Sequence, residues 1–132
     1  MPVVVDTSLW IDYNRGAVNP AERARIEQLW REGQAILYQF VWLELVVGYR
    51  SAKEQRTIQD FRALSLWEAI TGEDGVKAEA FSRVLRAQGH VVGASDLLIL
   101  AATDRLGAQL AHHDSDFELA LKNPAFAHLA WV

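Results

Sequence analysis

At 132 residues, with 51% hydrophobic and 23% charged side chains, the chain has the size and composition of one self-folding domain and lies far from the profile of a disordered one. It contains no cysteine, which excludes a disulfide framework, a thiolate zinc site and a cysteine nucleophile, and which fits a cytoplasmic protein. A formal net charge of −4 argues against coating nucleic acid by charge alone. It leaves room for a nuclease, because carboxylates that hold metal ions are neutralised when the ions bind.

The start Met1-Pro2-Val3-Val4-Val5-Asp6 has neither the basic residues nor the apolar stretch of a secretory signal, so no export is expected. The most apolar windows, around 36–49 and 96–102, contain carboxylates and fall short of the roughly 20 residues that cross a bilayer, so no membrane span is expected.

Val3-Val4-Val5 is a β-branched run that stops at the polar Asp6-Thr7-Ser8, the pattern of a buried parallel strand ending in a loop; it is read as the first, central strand. Asn19-Pro20-Ala21-Glu22 supplies an N-cap, a proline at the first helical position and a glutamate at N3, so a helix carrying Ile26, Leu29 and Trp30 is predicted up to Gly33. A second strand is predicted over 35–38, a nearly all-apolar helix over 40–49 and a more polar helix over 52–63. Residues 65–70 suggest a short strand, and Thr71-Gly72-Glu73-Asp74 resembles a capping box opening a helix that ends near Gly89.

The next helix starts near Ser95-Asp96 and is apolar on all sides from Leu97 to Ala102, which requires burial, before Gly107 ends it. A strand over 108–111, a polar loop His112-His113-Asp114-Ser115-Asp116, a short helix over 117–122 and a last strand over 128–132 complete the chain. Helices alternating with short strands indicate an α/β fold, a mainly parallel sheet of about five strands covered on both faces, in a single domain spanning 1–132. There is no repeat, linker or low-complexity segment.

The informative residues are acids in apolar company. Asp6 follows three valines, Glu44 lies within Phe40–Val47, and Asp96 opens Leu97-Leu98-Ile99-Leu100. An unpaired buried carboxylate costs several kcal/mol unless it meets a cation, is neutralised or receives hydrogen bonds. None of the 13 lysines and arginines lies within these runs, and a divalent cation would satisfy all the acids at once. In an open parallel sheet the carboxyl ends of the strands line a crevice where ligands bind. Asp6 ends the first strand, while Asp114 and Asp116 follow the strand at 108–111, so the same edge can collect them. Asp96 falls in the first turn of its helix, where the dipole favours a negative charge and should keep it ionised. Ligands that are all oxygen suit Mg²⁺ or Mn²⁺, and such a site can activate water for attack on a phosphodiester, so hydrolysis of nucleic acid is the expected chemistry.

Asp6-Thr7-Ser8 after a short strand, Leu43-Glu44-Leu45 with Gly48 four residues beyond the acid, Asp96-Leu97-Leu98-Ile99 and Asp114-Ser115-Asp116-Phe117 together resemble the PIN-domain family, specifically its VapC-type toxins. The order and spacing match over nearly the entire chain. The resemblance implies a PIN-like three-layer α/β/α sandwich and a Mg²⁺- or Mn²⁺-dependent endoribonuclease that cuts structured RNA such as tRNA. By the same resemblance Asp6, Glu44, Asp96 and Asp114 would bind the metal, with Asp116 a fifth acid and Ser8 supporting them from behind. It also implies a homodimer inhibited by a VapB-type antitoxin whose tail enters the acidic groove. Two departures stand out: the third motif continues Ile99-Leu100-Ala101 where Ile-Ala-Ala is common, and His112 stands where a threonine is often found.

Each acid also has a plainer reading. Asp6 can end a strand and cap a turn, Asp96 can be a first-turn helix acid, and Asp114 or Asp116 can be the N-cap of the helix after it. Glu44 has no such routine role. His112 and His113 lack the spacing that puts two ligands on one helix face and are read as a solvated loop. Thr7 and Ser8 can orient a metal-bound water or cap the next helix, two roles of equal weight, and the resemblance favours Ser8 for the first. Trp10, Trp30 and Trp42 are read as core or dimer contacts, and Arg50, Lys53, Arg56 and Arg62 as a solvated helical face. Two other functions compete: an inactive PIN-like binding module, and an aspartate-based phosphatase or phosphotransfer domain. The latter needs a lysine near a later strand end, which 108–111 lacks, and no GxGxxG or GxxxxGK[ST] motif follows the first strand.

Overall fold

The computed structural model describes residues 1–132. Val3–Val5 (β1) and Ala35–Tyr38 (β2) are buried at every position, as strands of a sheet covered on both faces must be. With Leu66–Glu68 (β3) and Gln109–Ala111 (β4) they form a four-stranded sheet in the order β3-β2-β1-β4, every pair parallel. The chain steps outward from β1 to β2 and β3, then returns to place β4 on the other side of β1. That reversal opens a crevice at the carboxyl ends of β1 and β4.

The predicted fifth strand at 128–132 does not form. Ala127–Leu129 make a 3-10 turn, with Leu129 and Ala130 donating to the carbonyls of Phe126 and Ala127, and the segment touches the sheet through a single bridge, Leu110 to Ala130. Backbone groups bonded locally are not free to join a ladder.

Seven helices connect and flank the strands: Thr7–Asn14 (α1), Pro20–Arg31 (α2), Gln39–Gly48 (α3), Ala52–Leu64 (α4), Gly72–Ala87 (α5), Ala94–Arg105 (α6) and Ser115–Ala120 (α7). The caps of α2 and α5 are those legible in the sequence: Asn19 accepts from Glu22 N–H, and Thr71 and Asp74 form a reciprocal capping box. Helix α1 was not anticipated. Its contiguous Leu9-Trp10-Ile11 carry no amphipathic stripe, and Asp6-Thr7-Ser8, read as a loop, is its N-cap and first turn. No helix is long and apolar enough to cross a membrane.

Burial sorts the apolar residues as expected for α6, where Leu97 and Ile99–Thr103 are all buried. Trp10 is fully enclosed, with ring centroids 4.0 Å from Phe61 and 5.2 Å from Trp30. Helix α3 differs: Val41, Trp42 and Leu45 face the core, whereas Leu43, Val46 and Val47 are exposed, Val47 at 86%. Arg62 is exposed, as a solvated helical face requires, but it also lies over two rings. Its guanidinium lies 4.9 Å from the Trp42 ring and 4.2 Å from that of Trp67.

Beneath the sheet edge sits a network the sequence did not reveal. Asp74, wholly buried, accepts from Tyr38 Oη at 2.7 Å, from Arg105 Nε at 2.6 Å and Nη2 at 3.2 Å, and from the Thr71 N–H. The pair ties the end of β2 to the start of α5 and the end of α6.

Candidate metal centre

The five sequence-nominated acids gather at the crevice between β1 and β4. Asp6 leaves the end of β1, is 4% exposed, and has Oδ2 held by the Ser8 N–H at 3.1 Å and the Ser8 hydroxyl at 2.6 Å. Asp96 occupies the first turn of α6. Asp114 follows β4 as the N-cap of α7, its Oδ1 accepting from Asp116 N–H at 2.7 Å, so the capping role falls to Asp114 and its other oxygen remains open. Carboxylate oxygens of Asp96, Asp114 and Asp116 lie within 4.8 Å of one another.

Glu44 stands at the side of this group. Its expected burial within an apolar run is corrected by the structure: the residue is exposed, because α3 turns only part of its apolar surface inward. Its carboxylate still lies against the site, where Glu44 Oε1 accepts from the Thr7 hydroxyl at 2.9 Å. Thr7 is thus a second support, at a position where the sequence and the resemblance favoured Ser8 alone. An isolated acid at 44 asks for a donor, but nothing in the pattern says that residue 7 supplies it.

The electrostatics follow from this crowding. None of the five acids forms an ion pair. Burial, and then the charges of Asp114, Asp6, Asp116 and Glu44, push Asp96 up to about 6. Burial and then four neighbouring like charges outweigh the helix dipole in setting this value, yet at about 6 Asp96 is still mostly ionised at pH 7. Burial likewise raises Asp6, against the opposing hydrogen bonds of Ser8, and raises Glu44 with help from the Asp6 and Asp114 charges. A cluster of oxygen donors short of countercharge fits a hard divalent cation, with Asp96, Asp114 and Asp116 within mutual reach and Asp6 and Glu44 near enough to add their charge.

The two histidines are not the solvated loop expected of them. His112 is partly buried against Phe117, and its Nδ1 accepts the Asp114 N–H at 3.1 Å, supplying the local bond that a threonine would otherwise offer; burial lowers its pKa, so it stays neutral. His113 reaches the other way, to Asp12 on α1 and Glu22 on α2. Burial opposes its charge, but the hydrogen bonds that Glu22 and Asp12 accept from the ring, and their negative charges, outweigh it and raise its pKa.

The acids' order along the chain, their meeting at the β1–β4 switch point and the four-stranded parallel sheet coincide with one known architecture, and the family model for the PIN domain matches residues 3–121. The chain belongs to the PIN-domain family. Solved structures agree in fold. A VapBC complex of Rickettsia felis bound to a DNA fragment from its promoter superposes with a TM-score of 0.75 at 16% identity, over 91% of this chain and 93% of that one. A DNA-bound VapBC of Salmonella typhimurium gives 0.74 at 15% identity, over 89% and 91%. The Mycobacterium tuberculosis VapC toxin that cleaves the Sarcin-Ricin loop gives 0.63 at 20% identity, over 89% and 94%. In this PIN domain, then, the acidic crevice is backed by Ser8 and Thr7 from the first turn of α1.

Proposed function

We propose that this PIN domain is a divalent-metal-dependent endoribonuclease, the toxin of a VapBC-type pair, with Mg²⁺ or Mn²⁺ held by Asp6, Asp96, Asp114 and Asp116 and with Glu44 completing the site. The observation that carries this reading is the convergence of five carboxylates, none of them ion-paired, on the carboxyl edge between β1 and β4. A bound ion would lower the pKa of its water and stabilise charge on the phosphate. Ser8 holds one oxygen of Asp6, so its other oxygen is directed without searching rotamers. Thr7 holds Oε1 of Glu44 in the same way and leaves Oε2 to a ligand or a proton. The fold likeness to a toxin that cuts the Sarcin-Ricin loop favours structured RNA, such as tRNA, as substrate class. The fold likeness to VapBC complexes favours a VapB-type antitoxin as partner, in the cytoplasm.

The test is incubation of the purified protein with structured RNAs, tRNAs included, in Mg²⁺, Mn²⁺ or EDTA. Discrete cuts are expected with either metal and none with EDTA. Changing residues that merely support metal ligands costs about 10–100-fold, so Asp6→Asn and Glu44→Gln, which alter the site directly, should lose at least about 100-fold. Identical patterns from wild type and both variants would sink the assignment and leave a binding module as the better reading.

A homodimer is part of the same proposal, and the exposed apolar stripe of α3 is where it would form. Phe40, Leu43 and Val47 line an open concavity of about 350 Å³ beside Glu44, an apolar surface that a monomer would leave wet. Val47→Asp should convert a dimer into a monomer in sedimentation velocity, without changing the far-UV spectrum. A wild-type chain that sediments as a monomer would remove this part of the reading.

A further inference from the structure

We propose that His113 is a positioning residue: its ring, gripped by Asp12 and Glu22, locks the β4–α7 loop onto α1 and α2 and thereby fixes Asp114. This inference rests on the metal-dependent reading of the site.

The geometry is specific. His113 Nδ1 lies 2.7 Å from Asp12 Oδ2, and His113 Nε2 lies 2.7 Å from Glu22 Oε1. Each ring nitrogen thus faces a carboxylate oxygen at hydrogen-bond distance, and the ring is gripped from both sides. The backbone N–H of the same residue donates to the Ser8 hydroxyl at 3.0 Å, and that hydroxyl donates in turn to Asp6 at 2.6 Å. One residue thus joins two helices through its side chain and the support of Asp6 through its backbone.

Asp114 is the next residue along the chain. It caps a helix of six residues that is seated on the core by the buried Phe117 and Ala120, while the hydrogen bonds of Asp114 itself, with His112, Asp116 and Glu118, stay within the loop and that helix. Among residues 112–114, the polar contacts that reach α1 and α2 are those of His113. Asp12 and Glu22 are partly exposed, at 39% and 27% of their side chains, and stand outside the carboxylate cluster, so they can be changed without touching a proposed ligand.

The experiment measures Mn²⁺ binding to the full chain by electron paramagnetic resonance, with melting curves and RNA cleavage on the same samples. Wild type is compared with Asp12→Ala, Glu22→Ala and Glu22→Gln. Each alanine variant should bind Mn²⁺ about tenfold more weakly, in the range seen when groups that orient metal ligands are removed. Its melting temperature should remain well above the assay temperature, and saturating Mn²⁺ should restore most of its cleavage. Glu22→Gln should recover most of the affinity, because a side-chain amide offers both a donor and an acceptor to whichever ring tautomer it meets.

Alanine variants that bind Mn²⁺ as tightly as wild type would overturn the proposal. So would an equal loss in Glu22→Ala and Glu22→Gln, which would reflect charge rather than position, or a loss that merely tracks unfolding at the assay temperature. A wild-type protein that binds no Mn²⁺ would end the metal-centre reading itself and this inference with it.

Discussion

Asp96→Asn is expected to abolish RNA cleavage while making the metal-free protein more stable. Asp96 carries the penalty of the cluster: burial and four acidic neighbours push its carboxyl up to about 6, and no lysine or arginine relieves it. An asparagine keeps the shape and removes the charge. After discounting for solvent screening at this half-open site, the relief is about 1–2 kcal/mol, or a rise of about 5 °C in melting temperature for a domain of this size. The proton linkage gives a second readout. The folded protein binds the Asp96 proton more tightly than the unfolded chain, so this stabilisation is full below the ordinary value of 3.8 and is lost as pH rises through about 6.

Chelated wild type should therefore lose more stability between pH 5 and pH 7 than Asp96→Asn does. His112 and His113 are present in both proteins, so the difference between the two slopes isolates Asp96. Added Mn²⁺ should stabilise wild type at pH 7 and leave Asp96→Asn largely unmoved, because a cation that binds only the folded state shifts the equilibrium by mass action. A variant that is less stable than wild type in EDTA, or that responds equally to Mn²⁺, would show that the cluster is not a strained cation site.

How much of this was readable in the sequence depends on the kind of information each feature needs. Asp6, Asp96 and Asp114 were found because position along the chain places them: each sits where a strand ends or a helix begins, and the β1–β4 neighbourhood follows from alternation of helices and strands. Glu44 was found for a partly mistaken reason. An acid within an apolar run was taken to be costly to bury, whereas α3 buries one side and leaves Leu43, Glu44 and Val47 exposed. Periodicity carries no signal when every position is apolar, so burial had to come from packing. Helix α1 was missed for the same lack of contrast.

The supports were harder still. Thr7 on Glu44 and His113 on Asp12 and Glu22 are contacts between residues 37, 101 and 91 positions apart, and no local pattern encodes them. The last strand failed for a local reason, since the 3-10 turn at 127–129 satisfies its own backbone.

Arg105→Ala is expected to be the most destabilising single change outside the apolar core. Asp74 is fully buried, and burial by itself would push its carboxyl up. Hydrogen bonds from Arg105 and Tyr38 outweigh that and hold it below the usual range. Removing the guanidinium leaves a carboxylate with the Tyr38 hydroxyl and backbone donors but no countercharge, a loss of about 3–5 kcal/mol. For a domain of this size that is a fall of more than about 10 °C in melting temperature. The sign also reverses relative to Asp96: the native pair contributes stability above the ordinary value of 3.8 that is lost as pH falls through the depressed folded pKa, so Arg105→Ala should flatten the acid limb of the stability curve.

The cost should come chiefly from the orphaned charge and not from lost attraction. Asp74→Leu combined with Arg105→Met is therefore expected to be less destabilised than Arg105→Ala alone, since no buried ion is left behind. Thermal melts of Asp74→Leu, Arg105→Met and the pair decide this, and a double variant that loses the sum of the two single losses would show that the two side chains are uncoupled and that no orphaned charge is at work. The placement of the pair gives the outcome a functional edge. Tyr38 is the residue before α3, which carries Glu44, and Arg105 ends α6, which carries Asp96 at its other end. Asp74 holds those two helices in register from behind, so the double variant, even where its stability recovers, should bind Mn²⁺ more weakly than wild type.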